Sequence, residues 1–228
     1  MIPKDKHIII AIDGPAASGK STTAKKVAQI LGISYLNTGS MYRALTYFAL
    51  KNNIPLIDKK RLEELAKSLD FKFYFDGDKE VIIVNNEDIS DIIRTPDITR
   101  AVSDYCAVSE VRRVLVEKQR EYGAKNSCIL DGRDIGTVVF PNADFKFFFT
   151  ASAEERAKRR WKEFKEKNID ITYEKVLEDI KRRDYLDQTR EDSPLKKADD
   201  AIEVDTTNMT IDEQVKFVVD YVLKQIEK

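Results

Sequence analysis

The sequence predicts an α/β protein in which amphipathic helices pack around a parallel β-sheet. Short apolar segments typical of strands alternate with segments of helical periodicity along most of the 228 residues. The first apolar segment runs directly into a glycine-rich loop and then into a helical pattern, which is the order of a strand, loop and helix unit of such a sheet. A chain of this length buries a substantial core without disulfides or structural metal. We therefore expect one α/β domain, interrupted once by an insertion.

Five strands and six helices are predicted in chain order. The strands are expected at residues 7–12, 34–36, 127–130, 145–149 and 201–204. The helices are expected at residues 20–31, 41–51, 96–122, 153–166, 173–189 and 211–226. Two of the helix starts carry specific signals, because Thr95 precedes Pro96 and because Thr210 with Glu213 forms a capping box.

Residues 56–93 break this alternation. Short β-like segments at 71–75, 81–84 and 87–89 are joined by an Asp-Gly-Asp turn at 76–78 and an Asn-Asn turn. They fall between the second and third strands of the main sheet. We therefore expect a small antiparallel insert, carried by a core of residues 1–55 and 94–228.

The loop after the first strand has the composition of a phosphate-binding loop. Its glycines let the backbone curl around phosphate oxygens, Lys20 brings a cation to the β and γ phosphates, and the Ser21 hydroxyl is a ligand for Mg²⁺. A helix N-terminus directed at the phosphates adds positive potential. The alternative, a glycine turn that only joins two elements, is disfavoured by the complete pattern between a strand and a helix. The predicted ATP contacts in the loop are Gly14, Pro15, Ala16, Ala17, Ser18, Gly19, Lys20, Ser21 and Thr22.

Three further segments, at 37–43, 131–137 and 183–190, combine arginine with aspartate and small hydroxyl residues. The first two follow strands at the edge of the sheet where ligands of open α/β sheets bind. Arg43 and Arg133 can each form two charge-assisted hydrogen bonds to a phosphate, which suggests a phosphorylated acceptor.

Each segment also has a structural explanation. Arg43 could be a solvated helix charge, and Arg133 could pair with a neighbouring aspartate. Arg183, Asp187 and Arg190 are spaced by four and three residues, which taken alone favours a salt-bridged surface face of a helix.

Composition excludes several other classes. The 39 basic and 40 acidic residues nearly cancel, which argues against a broad nucleic-acid or membrane surface. The apolar stretches are strand-sized and leave no room for a signal peptide or a spanning helix, so we expect a cytoplasmic protein. Cys106 and Cys128 have neither metal-ligand spacing nor a close histidine, and we expect two unmodified packing thiols.

Taken together, these motifs resemble the bacterial-type cytidylate kinase family. The resemblance covers nearly the whole chain and is carried by Ile-Asp-Gly-Pro-Ala-Ala-Ser-Gly-Lys-Ser-Thr, Asn-Thr-Gly-Ser-Met-Tyr-Arg, the inserted strands, Asp-Gly-Arg-Asp-Ile-Gly-Thr-Val-Val-Phe-Pro and Ala-Glu-Glu-Arg-Ala-Lys-Arg-Arg. It implies a P-loop kinase fold with a five-stranded sheet of order 2-3-1-4-5, a helical lid at about 154–172 and an acceptor-side subdomain at 56–93. It also implies transfer of the ATP γ-phosphoryl group to CMP or dCMP in pyrimidine nucleotide metabolism, with Mg²⁺ bound alongside ATP. We expect a monomer without nucleic-acid or membrane partners.

The resemblance also implies roles for individual residues. Thr38, Arg43 and Arg133 would hold the acceptor phosphate, and Arg183 and Asp187 would address the ribose. Ser103, Arg112, Asp134 and Arg190 would recognise the cytosine, and Arg156, Arg159 and Arg160 would close over the ATP phosphates. The catalytic set would be Lys20, Arg43, Arg133 and Arg183. For the three lid arginines a basic solvated helix face remains an alternative, and Asp13, Asp131 and Asp134 are all candidates to orient Mg²⁺.

Three rival functions remain. The nearest is another small-molecule P-loop kinase, acting on a different nucleoside monophosphate or on shikimate. A GTPase-type switch would need an Asn-Lys-x-Asp segment, which the sequence lacks, and would leave the acceptor-side arginines without a role. A nucleic-acid-binding module would need a basic stripe interleaved with aromatic residues.

Overall fold

A computed structural model of the protein describes residues 6–76 and 79–226. These residues fall into two compact units. The first lies within Met1–Leu36 and Gly123–Lys228, and the second lies within Asn37–Tyr122. In the described ranges, no helix is both long and apolar enough to cross a membrane.

Helices and strands alternate along most of the chain. In order, they are β1 (Ile9–Asp13), α1 (Lys20–Leu31), β2 (Ser34–Asn37), α2 (Thr38–Lys51), α3 (Lys59–Ser68), β3 (Phe71–Asp76), β4 (Lys79–Val84), β5 (Glu87–Asp88), α4 (Pro96–Cys106), α5 (Ser109–Lys125), β6 (Cys128–Gly132), β7 (Phe145–Thr150), α6 (Ala153–Glu166), α7 (Tyr173–Thr189), β8 (Ile202–Asp205) and α8 (Ile211–Ile226). A 3₁₀ turn at Ile92–Arg94 and a π-helical turn at Ile135–Val139 complete the described elements.

The first unit is built on a five-stranded sheet of order β2-β6-β1-β7-β8. Counted along the sheet's own strands, this is the predicted order 2-3-1-4-5, and the α/β fold class is confirmed. β1 lies at the centre, with Ile10 paired to Ile129 on one side and to Phe145 on the other. Apolar side chains from β1, β7, α1 and α8 form the main core. The central strand therefore ends between two neighbours, which places the loop after it at the carboxyl edge of the sheet.

α6 and α7 carry a separate hydrophobic cluster in the same unit. Ala157, Phe164, Val176 and Ile180 are buried against one another. The side chains of Ser152 and Thr172 cap the two helices by accepting hydrogen bonds from backbone amides. This cluster gives the helix pair a core of its own.

The second unit contains a three-stranded antiparallel sheet of order β3-β4-β5. The predicted insert therefore does form short antiparallel strands, although part of the predicted 76–78 turn lies outside the described residues. Helix α3 was not predicted, yet it has a recognisable start, since the Asp58 carboxylate accepts a hydrogen bond from the amide of Arg61 at 3.2 Å.

Two predicted helices are corrected. The helix expected over 96–122 is two helices, because the chain turns at Ala107, whose amide bonds to Asp104 and Tyr105 carbonyls, before α5 begins at Ser109. The helix expected over 41–51 begins three residues earlier, at Thr38, because Asn37 caps it by accepting from the Ser40 amide. The Thr210–Glu213 capping box is confirmed in both directions.

Candidate active site

The phosphate loop requires glycine at two positions. Gly14 has a φ of 145°, and a Cβ there would lie 2.1 Å from the carbonyl oxygen of Phe149. Gly19 has a φ of 92°, and a Cβ there would lie 2.5 Å from Oε1 of Gln214. Both positions combine a backbone conformation that side chains disfavour with a close neighbour. The tight loop predicted from the sequence is therefore fixed by sterics at both ends.

Lys20 lies in the loop as a buried cation. Its Nζ donates to the carbonyl of Pro15 at 2.6 Å and to Ser18 Oγ at 3.2 Å. Burial, with the nearby positive charge of Arg133 as the next cause, lowers the pKa of Lys20 well below its usual value, while Asp131 opposes that shift. An ammonium group in such surroundings is stabilised by an added anion.

Ser21 and Asp131 form an oxygen-rich pair beside the loop. The Ser21 hydroxyl donates to Oδ2 of Asp131 at 2.6 Å. The other carboxylate oxygen, Oδ1, accepts a 2.7 Å hydrogen bond from the buried hydroxyl of Tyr35 on β2. Of the three aspartates considered for Mg²⁺, Asp131 is the one bonded to Ser21.

Asp13 has different surroundings. Its carboxylate accepts hydrogen bonds from the amides of Ile135 and Gly136, at 2.8 and 2.7 Å. Burial raises the pKa of Asp13 to about 7, against the lowering effect of these two amides. Asp13 thus holds the start of the π-helical turn that follows Arg133 and Asp134.

The carboxylate of Asp187 lies beside arginines of two polar segments, the one at 131–137 and the one at 183–190. Its Oδ2 accepts from Nε of Arg133 at 2.7 Å and lies 3.9 Å from Nε of Arg183, while its Oδ1 lies 3.7 Å from Arg190. Arg190 also lies 3.7 Å from the carboxylate of Asp134. Burial would raise the pKa of Asp187, but Arg133, Arg183 and Arg190 together hold it below its usual value.

The alternative of a surface salt-bridge face on α7 is wrong. The side chains of Asp187 and Arg190 are only 6% and 5% exposed. The predicted ribose and base residues Arg183, Asp187, Arg190 and Asp134 are therefore brought together with Arg133 in one buried cluster, which we call the arginine cluster.

The lid arginines differ in their contacts. Arg156 is buried and makes a two-pronged ion pair with Asp184, at 3.0 and 2.6 Å, besides a 3.3 Å contact to the Ala16 carbonyl in the phosphate loop. Arg159 donates to the carbonyl of Thr206 at 2.6 Å. Arg160 pairs with Glu163 at 2.7 Å on the same helix, so the solvated-face alternative describes this arginine best.

The second unit holds the remaining predicted acceptor residues. Arg43 donates to Thr99 Oγ1 at 2.7 Å and to the Ile93 carbonyl at 3.2 Å, so it is not simply a solvated charge. Arg112 is 2% exposed and lies over the ring of Tyr42 at 5.3 Å. Thr38 and Ser103 are also buried.

Comparison with known proteins accounts for this combination of sites. The cytidylate kinase family model matches residues 10–228. The chain belongs to the cytidylate kinase family. The cytidylate kinase of Clostridium acetobutylicum is 51% identical over 95% of this chain and 98% of its own length, and that of Bacillus subtilis strain 168 is 47% identical over 98% of both chains. A solved structure of an uncharacterised protein from Eubacterium ventriosum covers 97% of this chain and 99% of its own, with 17% identity and a TM-score of 0.50, and shares the fold.

Membership of the cytidylate kinase family confirms the predicted activity. The protein is a phosphotransferase that transfers the γ-phosphoryl group of ATP to CMP or dCMP. The rival functions, a kinase for another acceptor, a GTPase-type switch and a nucleic-acid-binding module, are set aside by this finding.

Sequence reasoning missed several residues that contact the predicted site. Tyr35 reaches Asp131, Asp184 pairs with Arg156, and the Thr206 hydroxyl lies 2.9 Å from the carbonyl of Ser18. Tyr35 lies in an apolar strand pattern and Asp184 in a charged helix, which both resemble ordinary structural positions. Only the paired strands and helices of the folded chain bring these side chains to the site.

Proposed function

We propose that the first unit binds ATP through the phosphate loop and binds CMP through the arginine cluster. The observation that carries this proposal is the convergence of three guanidinium groups on the buried carboxylate of Asp187. The arginine cluster holds three arginines and the two carboxylates of Asp187 and Asp134, which leaves one net positive charge among these five side chains. A phosphate group balances such a charge and accepts several arginine hydrogen bonds at once.

On the ATP side, Lys20 would bind the β and γ phosphates with the backbone amides of the loop residues 14–22. The depressed pKa of Lys20 indicates that its charge is poorly compensated in the protein alone. A bound triphosphate would supply negative charge beside Lys20, which favours the protonated form.

The residues beside the loop fit Mg²⁺. The ion prefers oxygen ligands and keeps several waters, so one hydroxyl and one nearby carboxylate suffice from the protein. Ser21 would be the direct ligand, and Asp131, 2.6 Å from it, would orient the ion or its water. When bound with ATP, Mg²⁺ would neutralise charge on the β and γ phosphates.

On the CMP side, Arg133 would hold the acceptor phosphate, and Arg183 and Asp187 would address the ribose. Asp134 would accept from the exocyclic amino group of cytosine, with Arg190 beside it. Uracil presents a carbonyl there, which would set an acceptor against the buried carboxylate instead of a donor. From the second unit, we propose that Thr38 and Arg43 contribute to phosphate binding and that Ser103 and Arg112 contribute to base recognition.

Transfer then depends on alignment and charge stabilisation. An oxygen of the CMP phosphate attacks the γ phosphorus, the bond from that phosphorus to the bridging β–γ oxygen breaks, and ADP leaves. Lys20 and the arginines would stabilise the charge spread over the transferred group. No protein nucleophile is required.

We propose that residues 154–172 act as a lid and that residues 56–93 form an acceptor-side subdomain. The lid proposal is supported by the separate hydrophobic cluster of α6 and α7 and by the Arg156 contact to Ala16. Closure would exclude water and so prevent hydrolysis of ATP. We further propose that the protein is a cytoplasmic monomer without a nucleic-acid partner. Light scattering of the purified protein at micromolar concentration tests the oligomeric state.

The experiment that tests these roles compares Arg133→Ala with Arg182→Ala. Arg182 is an exposed arginine next to Arg183 on α7 and serves as the matched control. ADP release from Mg-ATP is followed with CMP, dCMP, UMP, AMP and GMP in separate reactions, and ATP binding is measured directly. Each charge-assisted bond contributes about 1.5–3 kcal/mol, so Arg133→Ala should lower kcat/KM for CMP about tenfold to a hundredfold or more. ATP affinity should change little. An equal loss for ATP and CMP would refute the acceptor role of Arg133.

A further inference from the structure

The carboxylate of Asp13 is placed to control a loop far away in the sequence. Asp13 is the last residue of β1 and is 5% exposed. Its Oδ1 accepts from the amide of Ile135 at 2.8 Å, and its Oδ2 accepts from the amide of Gly136 at 2.7 Å. Both oxygens therefore bond to consecutive amides of one backbone segment.

These two amides lie at the start of the π-helical turn. The first amides of any helical turn lack partners within it and need acceptors from elsewhere. The turn is closed by its own bonds further on, with the Phe140 amide donating to the Ile135 carbonyl at 2.7 Å. Asp13 thus supplies the external acceptors, and π-helical turns occur often at functional sites.

Close packing reinforces this attachment. A Cβ added to Gly136 would lie 3.2 Å from Cδ of Lys146 and 3.4 Å from Oδ2 of Asp13. The backbone at Gly136 therefore lies close to both side chains, and a larger residue there would crowd the carboxylate of Asp13.

A direct role with the metal is a weaker explanation of Asp13. Its two oxygens already accept from two amides, whereas the carboxylate of Asp131 is the one hydrogen-bonded to Ser21. Asp13 belongs to the phosphate-loop motif in sequence, yet its hydrogen bonds go to the segment that carries Arg133 and Asp134.

We infer that Asp13 is a positioning residue for the acceptor nucleotide, which acts through the backbone of residues 135–136 to hold Arg133 and Asp134 in place. A residue of the phosphate-loop motif would then set the affinity and base preference for CMP rather than the affinity for ATP. This inference rests on the acceptor roles proposed above for Arg133 and Asp134.

The test is Asp13→Asn in the full-length protein. Asparagine keeps one acceptor oxygen and turns its amide nitrogen toward a backbone N–H, so one of the two bonds is lost with little change in volume. We expect kcat/KM for CMP to fall about tenfold and the preference for CMP over UMP to narrow, as the loss of one well-placed bond implies. The dissociation constant of ATP, measured by calorimetry, should stay within about twofold, since no lost bond touches the loop.

Asp144→Asn is the matched control. Asp144 accepts from the amide of Ile9 at 2.7 Å near the opposite end of β1, so Asp144→Asn removes the same negative charge there while its amide oxygen can still accept that bond. Its kinetics should equal those of the unchanged protein. If Asp144→Asn reproduces the Asp13→Asn profile, the effect is general to β1 and the inference is overturned.

The other outcomes are equally decisive. Loss of ATP affinity in Asp13→Asn with CMP kinetics intact, an equal loss for both nucleotides, or no change would each overturn the inference. If Asp13→Asn does not fold, Gly136→Ala is the second variant, because its added methyl group would crowd the Asp13 carboxylate. It should raise KM for CMP without weakening ATP binding, and an unchanged KM overturns the inference.

Arg133→Ala and Asp134→Asn are assayed in parallel. If they leave CMP kinetics unaltered, the proposed function fails, whereas if they weaken CMP use and Asp13→Asn does not, only the inference about Asp13 fails.

Discussion

Replacing Asp187 with asparagine should destabilise the protein strongly, because Asp187 is a buried carboxylate with three arginines beside it. The 2.7 Å bond to Arg133 is lost as a charge-assisted pair, and Arg190 loses one of its two carboxylate neighbours at 3.7 Å. Breaking a buried ion pair by removing one partner costs about 3–5 kcal/mol. For a chain of this size, that loss lowers Tm by about 6–20 °C at about 2–4 °C per kcal/mol.

The assay is urea-induced unfolding followed by circular dichroism at neutral pH. Asp179→Asn is the control, since Asp179 lies on the same helix and pairs with Lys175 at 3.5 Å where both side chains are substantially exposed. Exposed pairs contribute little to stability. Equal, small losses in the two variants would refute the argument that the arginine cluster is buried and electrostatically balanced by Asp187.

The stability difference between the unchanged protein and Asp187→Asn should depend on pH, and the direction of that dependence can be worked out. The arginines hold the pKa of Asp187 below its usual value of 3.8 in the folded protein. The folded state therefore binds fewer protons than the unfolded state, and the stabilisation is present above 3.8 and is lost as the pH falls through the lower, folded-state pKa. The difference in unfolding free energy between the unchanged protein and Asp187→Asn should shrink accordingly below pH 4. A difference that grows with acidity would contradict the assigned charge pairing.

Two further predictions concern the ATP side. Lys20→Met should lower kcat by about 10²–10³ or more with folding intact, because a preorganised cation at the transferred group is lost; undiminished turnover in the ADP-release assay would remove Lys20 from the reaction. Tyr35→Phe should raise the Mg²⁺ concentration for half-maximal rate several-fold, because the 2.7 Å bond that orients Asp131 is gone, and Mg²⁺ titration at saturating ATP measures it. An unchanged Mg²⁺ requirement would show that Tyr35 only packs.

Much of the fold follows from local patterns in the sequence. The alternation of strand-sized and helical segments predicted the sheet, and the Thr210–Glu213 pattern predicted a helix start that forms both expected hydrogen bonds. The long helix expected over 96–122 is broken near Ala107. The sequence did not predict this break, because helical periodicity continues through it. Periodicity reports which face is apolar and does not report a local turn of the backbone.

The site was predictable in type and less so in arrangement. The spacing of Arg183 and Asp187 correctly placed them on one face of α7, whereas Arg190 lies just beyond the end of the helix in extended backbone. Spacing does not show what covers that face. Burial by other parts of the unit converts an ordinary salt-bridge pattern into a charged cluster of low exposure. The role of Asp13 was likewise hidden, since its amide partner Ile135 lies 122 residues away in the chain.

The position of β1 explains how one strand end can serve two substrates. β1 is the central strand, flanked by β6 and β7, so loops that follow either neighbour come within reach of its last residues. Gly14 has no side chain and lies directly against the carbonyl of Phe149 on β7, which fixes the start of the phosphate loop. Asp13, one residue earlier, bonds to the segment that follows β6 and Arg133. Because a displacement of about 1 Å can cost about 10²-fold in rate, bracing both loops on adjacent residues at the end of β1 would keep the ATP-binding loop and the proposed CMP-binding segment in register for transfer.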